Sequence, residues 1–318
     1  MQYPRKDLEL IQKKYNFIRV DELEKVLRLT DLLEMVYEDK HLSKHFLLKG
    51  GTAINLLWLD LPRLSVDIDL NYIGIVNRNE MIEQKKKLLP RFRNIFKRQV
   101  YDITSRNESR HAGCNYDLRY KNTNNGRGKI KVDISFMHRT PIYGTTEKQP
   151  SILSEHNKEF KIQTLTIEEL FAGKLNALCD RGTPRDYFDA FTLNSLKRTE
   201  IDKRKVKKAF IFLATINIKD FDRFSLDSIS KIDQERINKE LAPMLRKNSI
   251  PSADEILSST NSLLKEMLNF NKQEKLFIST FFQKKKLIPE ILFDSEKYKF
   301  LSEYPQATWS LVNLTRSN

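Results

Sequence analysis

Between residues 46 and 70, a short apolar run, a pair of glycines, a helical segment and an alternating segment follow one another. The run at 46–48 predicts a short strand, and residues 52–59, which include no proline or glycine, predict a helix. Gly50 and Gly51 lie between the two, where backbone amides at a helix N-terminus can approach an anion. A glycine pair by itself is usually a plain turn, but between a strand and a helix it predicts a phosphate-binding turn.

The alternating segment carries two acids. Ser65, Asp67 and Asp69 share one face of a strand, and the apolar residues between them share the other. Two carboxylates on one strand face repel each other unless a cation lies between them. Mg²⁺ suits this arrangement, because it prefers one or two carboxylates together with phosphate oxygens. Arg63 and Ser65 add a cation and a hydroxyl that suit phosphate oxygens. The alternative is an exposed strand face with two solvated acids.

A second alternating segment supplies a third acid. In residues 129–136 the apolar residues occupy one face and Asp133 occupies the other. The polar segment 121–129 predicts a hairpin turn or a loop before it. Three carboxylates on adjacent strand faces can bind two metal ions, of which one lowers the pKa of an attacking hydroxyl and the other neutralises the leaving pyrophosphate. The alternative is an edge strand whose lysines and acid face water.

A helix is predicted from Thr166 to about Cys179. Thr166 and Glu169 have the spacing of a capping box, in which each side chain bonds the backbone N–H of the other residue. On a helical wheel, Lys174 lies in the middle of the apolar face. Burying an ammonium group without a partner is costly, so we expect Lys174 to reach an acidic or phosphate-bearing site. The alternative is a lysine whose charge extends past its apolar neighbours to the solvent.

Another helix is predicted to begin near Thr183. Pro184 suits the first helical position, and Asp186 lies in the first turn, where an acid is favourable. From these residues alone, Asp186 is either a capping acid or part of a site.

Four segments together resemble the AbiEii/AbiGii toxin family of the nucleotidyltransferase superfamily, which includes the MenT toxins of bacterial toxin–antitoxin and phage-defence systems. The segments are residues 49–53 (KGGTA), 63–70 (RLSVDIDL), 131–135 (KVDIS) and 170–189. The resemblance implies an α+β fold, in which a mixed sheet with helices, similar to that of polymerase beta, is followed by an α-helical C-terminal domain. It also implies that Mg²⁺ is bound by Asp67, Asp69 and Asp133. The residues implied to hold the triphosphate are Gly50, Gly51, Thr52, Arg63 and Ser65.

The same resemblance assigns a second group of residues and an activity. A lysine and an acid of the family's active site match Lys174 and Asp186, with Arg185 and Asp189 as alternates or as an internal ion pair. The implied activity is Mg²⁺-dependent transfer of nucleotides from a nucleoside triphosphate to RNA, with the tRNA 3′ end as leading acceptor and a cognate antitoxin as partner. Two alternatives stay open: a nucleotidyltransferase that modifies a protein or small molecule, and a catalytically silent nucleic-acid-binding protein of the same fold.

The composition favours a polyanionic partner. The chain has 56 Lys and Arg against 42 Asp and Glu, a net charge of +14 and a pI near 9.5. Basic tracts are spread along the chain at residues 85–87, 197–198, 203–204, 207–208 and 284–286. For each tract a solvated helix face is the commoner explanation, and a surface that follows a phosphate backbone requires several tracts to converge in the fold.

The length of 318 residues predicts two domains. We expect a nucleotidyltransferase domain at 1–195 and an α-helical domain at 196–318, where glycine is absent. The phenylalanines and leucines of the second domain are interpreted as core, and stacking of Tyr304 or Trp309 on bases is a secondary hypothesis.

Other features limit the setting of the protein. Cys114 and Cys179 have no metal-like spacing, and the five histidines form no ligand cluster. The N-terminus lacks an apolar signal core, and no apolar run is long enough to span a bilayer. We therefore expect a cytoplasmic monomer with reduced thiols and no membrane partner.

Overall fold

The computed structural model describes residues 3–108, 112–152, 159–217 and 232–316. His111 and His156, two of the five histidines, lie outside these ranges. Two compact units divide the chain: the first comprises 1–141, 145–165 and 241–250, and the second comprises 142–144, 166–240 and 251–318. Within the described ranges, no helix combines the length and the apolar composition needed to cross a bilayer.

In the described part of the first unit, seven strands form one sheet. They are β1 (Phe46–Lys49), β2 (Asp67–Tyr72), β3 (Asp102–Asn107), β4 (Gly113–Lys121), β5 (Arg127–Ser135), β6 (Thr145–Lys148) and β7 (Ile162–Leu165). Their order across the sheet is β3-β4-β5-β2-β1-β7-β6. β2 is parallel to β5 and β1 is parallel to β7, whereas the other neighbouring pairs are antiparallel. The sheet is therefore mixed, which confirms the predicted fold class.

The helices of the first unit pack against this sheet or against one another. They are α1 (Arg5–Tyr15), α2 (Val20–Glu38), α3 (Lys40–His45), α4 (Gly50–Ala53), which a π-helical turn at Ile54–Trp58 continues, and α5 (Arg78–Arg98). α2 packs against β5 and β7, and α5 packs against α2, α3 and β3. The ring of Phe46 on β1 lies 5.0–5.9 Å from the rings of Phe92, Tyr72 and Phe136. Burying each such ring contributes about 1.5–3 kcal/mol, so this aromatic cluster fixes one face of the sheet as core.

The alternation of β2 and β5 explains which face is left for chemistry. Val66, Ile68 and Leu70 are buried, whereas Asp67 and Asp69 are only half-buried. β5 follows the same rule, with its apolar residues buried and Asp133 on the other face. It lies between β4 and β2 rather than at an edge, so the edge-strand alternative is wrong. The predicted hairpin turn joins β4 to β5 at residues 122–126.

The described part of the second unit is helical. Its helices are α6 (Ile167–Arg181), α7 (Pro184–Ser195), α8 (Lys203–Asn217), α9 (Gln234–Arg236), which a π-helical turn at Ile237–Leu241 continues, α10 (Ala253–Leu268), α11 (Lys272–Gln283), α12 (Pro289–Phe293), a 3₁₀ helix at Glu296–Glu303 and α13 (Pro305–Arg316). Phe212 of α8 lies at the centre of its core, with ring contacts to Phe277, Phe293 and Tyr304 at 5.2–6.2 Å. Tyr304 is only 1% exposed, so it is a core residue and not a platform for bases, whereas Trp309 is 55% exposed.

The compact units divide the chain after residue 165, whereas the sequence placed a domain boundary at 195. α6 packs against α7 and α8, and α7 packs against α10, so both helices belong with the C-terminal helices. The segment 241–250 returns to the first unit, where Leu245 and Arg246 form isolated bridges with Arg63 and Phe17. The predicted helical C-terminal region is confirmed, but its helices begin about one helix pair earlier than glycine content suggested.

The predicted capping box at the start of α6 is wrong. Thr166 is the N-cap residue, but its side chain makes no capping hydrogen bond. The Glu169 carboxylate instead accepts hydrogen bonds from the backbone N–H groups of Ile142, at 2.9 Å, and Tyr143, at 3.2 Å. Burial raises the pKa of Glu169 to about 8, although these two N–H groups act in the opposite direction. Glu169 therefore fixes a distant loop and not its own helix end.

Candidate active site

A row of polar side chains crosses four strands of the sheet. Lys49 on β1 is paired with Asp69 on β2, Asp69 with Asp133 on β5, and Asp133 with Asn115 on β4. Residues paired across neighbouring strands project from the same face. The four side chains therefore lie side by side on the face opposite the aromatic cluster, and they line a cavity of about 200 Å³.

The third predicted acid lies one step along the same face. Asp67 is paired with Lys131 across β2 and β5. Lys131 Nζ lies 2.6 Å from Asp133 Oδ2. The hydrogen bond with Asp133 raises the pKa of Lys131 despite partial burial, and the charges of Asp67 and Asp69 add to the effect. The structure thus brings the three predicted acids together and places a lysine among them.

Gly50 brings a helix N-terminus against these acids. Its φ of +73° lies in the left-handed region, which favours glycine. A Cβ at this position would overlap the Asp69 carboxylate and lie 3.0 Å from Asp69 Cγ. The helix from Gly50 to Trp58 therefore begins beside a carboxylate. A phosphate bound at this N-terminus would be repelled by Asp69, so joint occupation requires a cation between them.

Thr52 and Ser65 connect this helix to β2. The buried Thr52 hydroxyl lies 3.0 Å from Ser65 Oγ and also donates to the backbone carbonyl of Asp67. These contacts hold the start of β2 against the helix. Ser65 itself is half-buried, just before the strand begins.

Arg63 lies inside the first unit rather than on its surface. The residue is 1% exposed, and its guanidinium donates a 3.0 Å hydrogen bond to the carbonyl of Leu64. Its backbone forms an isolated bridge with Leu245. In this arrangement Arg63 supports the segment that leads into β2 instead of offering an exposed cation.

Two lysines of this face were not assigned a role from the sequence. Burial lowers the pKa of Lys49, although the charges of Asp69 and Asp133 act in the opposite direction. Burial, aided by the charge of Lys49, lowers the pKa of His138 to about 3. The signal for Lys49 and Lys131 was present in the strand alternation, which places each of them on the acid-bearing face.

A second cavity adjoins Asp67 in the first unit. It has a volume of about 390 Å³, and its lining includes the cations Lys25, Arg127, Lys129 and Lys131. Two acids, Asp21 and Asp67, also line it, so cations outnumber acids by four to two. The excess positive charge favours phosphate groups.

In the second unit, Lys174 contacts two buried acids. Lys174 Nζ lies 2.9 Å from Asp189 Oδ2 and 3.3 Å from Asp186 Oδ1. The side chain of Lys174 is 11% exposed, and those of Asp186 and Asp189 are 0% and 2% exposed. Lys174 therefore reaches an acidic group, as its position on an apolar face predicted, and does not extend to solvent.

Asp186 has two further partners besides Lys174. Arg181 donates to both of its carboxylate oxygens, at 2.8 and 2.9 Å, and the Thr183 hydroxyl donates at 2.6 Å. Burial raises the pKa of Asp186, but the hydrogen bonds from Arg181 and Thr183 and the charge of Lys174 outweigh it. The pKa is therefore held well below its usual range. The predicted helix start is confirmed, with Thr183 as N-cap and Pro184 in the first turn.

The acid cluster offers an incomplete set of metal ligands. Among the described residues, no group of three or more His, Cys, Asp or Glu side chains is arranged to hold a metal ion. Asp69 and Asp133, paired across β2 and β5, supply hard oxygen donors. Mg²⁺ commonly takes only one or two protein carboxylates and completes its octahedron with phosphate oxygens and water, so these residues fit it.

Comparisons with known proteins place this arrangement in a family. A family model described as nucleotidyl transferase AbiEii toxin, type IV TA system, matches residues 31–259. The chain is similar to the solved structure of MenT4, a nucleotidyltransferase toxin from Mycobacterium tuberculosis. The identity is 13%, the TM-score is 0.62, and the match covers 96% of this chain and 98% of that chain. A weaker likeness to JHP933 from Helicobacter pylori has 16% identity and a TM-score of 0.45, over 76% of this chain and 89% of that chain.

No curated protein sequence matches the chain. The MenT4 likeness shows the predicted fold, and the matched family model covers most of the sequence. The resemblance seen in the four sequence segments is thereby confirmed: the chain belongs to the AbiEii family of nucleotidyltransferase toxins of type IV toxin–antitoxin systems.

Proposed function

We infer that this toxin transfers a nucleotide from a nucleoside triphosphate to a hydroxyl group of RNA, with the tRNA 3′ end as acceptor and Mg²⁺ as cofactor. The observation that carries the proposal is the pairing of Asp69 with Asp133 beside the helix that begins at Gly50. A carboxylate pair next to a helix N-terminus suits a metal ion shared between the protein and a phosphate group.

In this proposal Asp69 and Asp133 hold Mg²⁺ directly, and Asp67, next along the same strand face, completes the ligand set when the metal ion and the substrate bind. Bound there, Mg²⁺ would neutralise charge on the phosphates and lower the pKa of the attacking hydroxyl. The hydroxyl oxygen forms a bond to the α-phosphorus, the bond from that phosphorus to the β-phosphate oxygen breaks, and pyrophosphate leaves. Asp133 helps to remove the proton of the hydroxyl.

The remaining residues of the first unit position the triphosphate. Gly50, Gly51 and Thr52 provide the helix N-terminus, and Ser65 provides a hydroxyl next to the acids. Lys131 provides a cation that can leave Asp133 for a phosphate oxygen. Because Arg63 is buried, we assign it to supporting β2 and not to a phosphate contact.

Lys174 is proposed to stabilise the negative charge that develops on the phosphates. Its ammonium group is held by Asp186 and Asp189, so its position is fixed before a substrate arrives. Asp186 in turn is fixed by Arg181 and Thr183. The acids of this group therefore act as positioning residues for Lys174.

An RNA acceptor is supported by charge. The net charge of +14 and the basic cavity beside Asp67 both favour a polyanion. Adding nucleotides to such an RNA is the proposed basis of toxicity, and a cognate antitoxin is the proposed partner.

The test incubates the purified chain with total tRNA, Mg²⁺ and each labelled nucleoside triphosphate in turn, and follows the label on a denaturing gel. Asp67→Ala removes a proposed ligand. Asp102→Ala, at an exposed position on β3 of the same sheet, makes the same chemical change elsewhere. We expect label on RNA with the native chain and Asp102→Ala, and none with Asp67→Ala.

Other outcomes would redirect the assignment. Equal labelling by Asp67→Ala would remove the acid cluster from catalysis. Label on protein or on a small acceptor would keep the chemistry and change the substrate. Salt-sensitive RNA binding without any transfer would indicate a silent nucleic-acid-binding protein.

A further inference from the structure

The second unit contains a cavity of about 310 Å³ that is both basic and aromatic. Four cationic side chains line it, from α8 and from the 3₁₀ helix at Glu296–Glu303: Arg204, Lys205, Lys208 and Lys297. These residues come from segments that are far apart in the sequence. Convergence of this kind separates a phosphate-binding surface from a solvated helix face.

Two of the α8 cations, Arg204 and Lys205, occupy positions that the helix itself disfavours. α8 begins at Lys203 and has no acid in its first turn. The partial positive charge of a helix N-terminus disfavours cations in the first turn. Two other lysines of this part of α8 point to partners outside the cavity: Lys203 donates to Asn194, and Lys207 forms an ion pair with Glu274. The cations that line the cavity do not take part in those contacts.

One acid, Asp202, lines the cavity and offsets only part of this charge. Its carboxylate accepts the backbone N–H groups of Arg204 and Lys205, at 2.9 and 3.4 Å, and lies 3.6 Å from Arg204 Nε. With four cations against one acid, the cavity is strongly positive.

The opposite wall is aromatic. The Tyr298 ring is half-buried and stacks on Phe293, with centroids 4.4 Å apart. The Tyr143 ring meets the Tyr298 ring edge to face, with centroids 6.1 Å apart. Lys297 Nζ lies 4.9 Å from the Tyr298 ring, and Lys205 Nζ lies 5.9 Å from the Tyr143 ring. Cations interleaved with partly exposed aromatic rings are typical of sites for single-stranded nucleic acid.

Tyr143 is fixed in place by hydrogen bonds. Its backbone N–H donates to the buried Glu169 carboxylate, and its hydroxyl donates to the backbone carbonyl of Lys205 at 2.8 Å. The aromatic wall is thus formed in the free chain, which lowers the cost of ordering it upon binding.

We propose that this cavity binds one nucleotide of a single-stranded RNA segment, with its phosphate held by the four cations and its base stacked on Tyr298. The volume lies at the small end of the range for small-ligand sites, which suits one nucleotide and not a duplex. The proposal rests on RNA as the proposed acceptor and adds to it a site for that RNA in the helical unit.

The test measures binding of a short fluorescent oligouridylate to the full chain by anisotropy over a range of salt concentrations, without nucleoside triphosphate. Lys205→Gln/Lys297→Gln removes two cations from opposite sides of the cavity. Lys284→Gln/Lys286→Gln removes the same charge from exposed lysines beyond α11. Tyr298→Leu keeps apolar packing on Phe293 and removes the aromatic face.

We expect the first double variant to bind more weakly and to lower the slope of log affinity against log salt by about 1.4, or about 0.7 for each lost contact. The control pair should keep the native slope. Tyr298→Leu should weaken binding about five-fold or more through lost stacking, with the slope unchanged.

Equal losses in both double variants would show a general charge effect and would overturn the proposal, as would a native chain that does not bind the oligonucleotide. If poly-glutamate displaced the oligouridylate as well as unlabelled RNA does, and Tyr298→Leu still bound the oligouridylate normally, the surface would be assigned to an acidic protein partner instead. Transfer to tRNA measured in parallel separates the two proposals. If nucleotide is transferred to tRNA but every variant binds the oligouridylate normally, only this RNA site is refuted. If binding depends on the site residues but no nucleotide is transferred, only the proposed reaction is refuted.

Discussion

Replacing Gly50 by alanine tests the close approach between the helix N-terminus and the acids. The left-handed backbone at Gly50 would cost alanine about 1–2 kcal/mol. The new Cβ would also overlap the Asp69 carboxylate, whose oxygen would have to move by about 1 Å to reach ordinary contact. Turning Asp69 away from its rotamer costs a further amount of about 1 kcal/mol. We therefore expect Gly50→Ala to lose about 2–3 kcal/mol of unfolding free energy.

The reaction rate should fall as well as the stability. A displacement of about 1 Å at a reacting centre lowers the rate by roughly 100-fold. Urea denaturation would measure the free energy of unfolding, and a fluorescent nucleoside triphosphate would report binding to the folded chain. Transfer of labelled nucleotide to tRNA would report the rate.

Gly144→Ala is the matched control. Gly144 has a φ of +83°, but a Cβ there would meet nothing within 4 Å. Both substitutions make the same change in the unfolded chain, so that contribution cancels in the comparison. Gly144→Ala should lose only the backbone part, about 1–2 kcal/mol, and should bind nucleoside triphosphate normally. Equal stability losses and equal nucleotide binding in the two variants would refute the argument that Gly50 is required by Asp69.

Three further predictions concern side chains of α6 and α7. Lys174→Met removes a cation shared by two buried acids, so the unfolding free energy in urea should fall by about 3 kcal/mol and transfer should fall with it; full transfer would contradict the role of Lys174. Asp186→Asn should be less stable than the native chain at pH 7. Because the lowered pKa of Asp186 contributes stability only above its usual range, this difference should shrink as the pH falls below about 4 in thermal melts. Glu169→Gln should match the native chain at pH 4.5 and exceed its stability at pH 8, because the raised pKa of Glu169 makes the native chain lose stability between these values. Parallel pH profiles for the native chain and Glu169→Gln would show that this carboxyl is not buried.

The sequence was sufficient to predict β2, β5 and the hairpin before β5, because alternation with period two is a local property. It also placed Asp67, Asp69 and Asp133 on the face opposite the apolar residues. It could not give the register that pairs Asp69 with Asp133 and Asp67 with Lys131, since pairing between distant strands depends on the whole sheet.

The capping box was wrongly predicted because a distant partner competes for one of its side chains. Thr166 and Glu169 have the spacing of a capping box, but the backbone of Ile142 and Tyr143 takes the carboxylate. The boundary at 195 was inferred from glycine content, whereas packing of α6 and α7 on later helices sets the compact unit. A sequence pattern shows which bonds a residue is able to make. It does not show which of the possible partners the fold brings closest.

Exposure distinguishes the two lysine–acid groups of this toxin. The side chains of Lys131 and Asp133 are 45% and 37% exposed, and exposed ion pairs contribute only about 0–1 kcal/mol. Lys131 can therefore leave Asp133 at little cost when a phosphate or a metal ion competes for either partner. Lys174 and its two acids are almost fully enclosed, and breaking such a pair costs about 3–5 kcal/mol. Lys131 thus offsets the repulsion between the acids of the sheet face, and under the proposed function it is released when the substrate binds. The second group holds the Lys174 ammonium in one position.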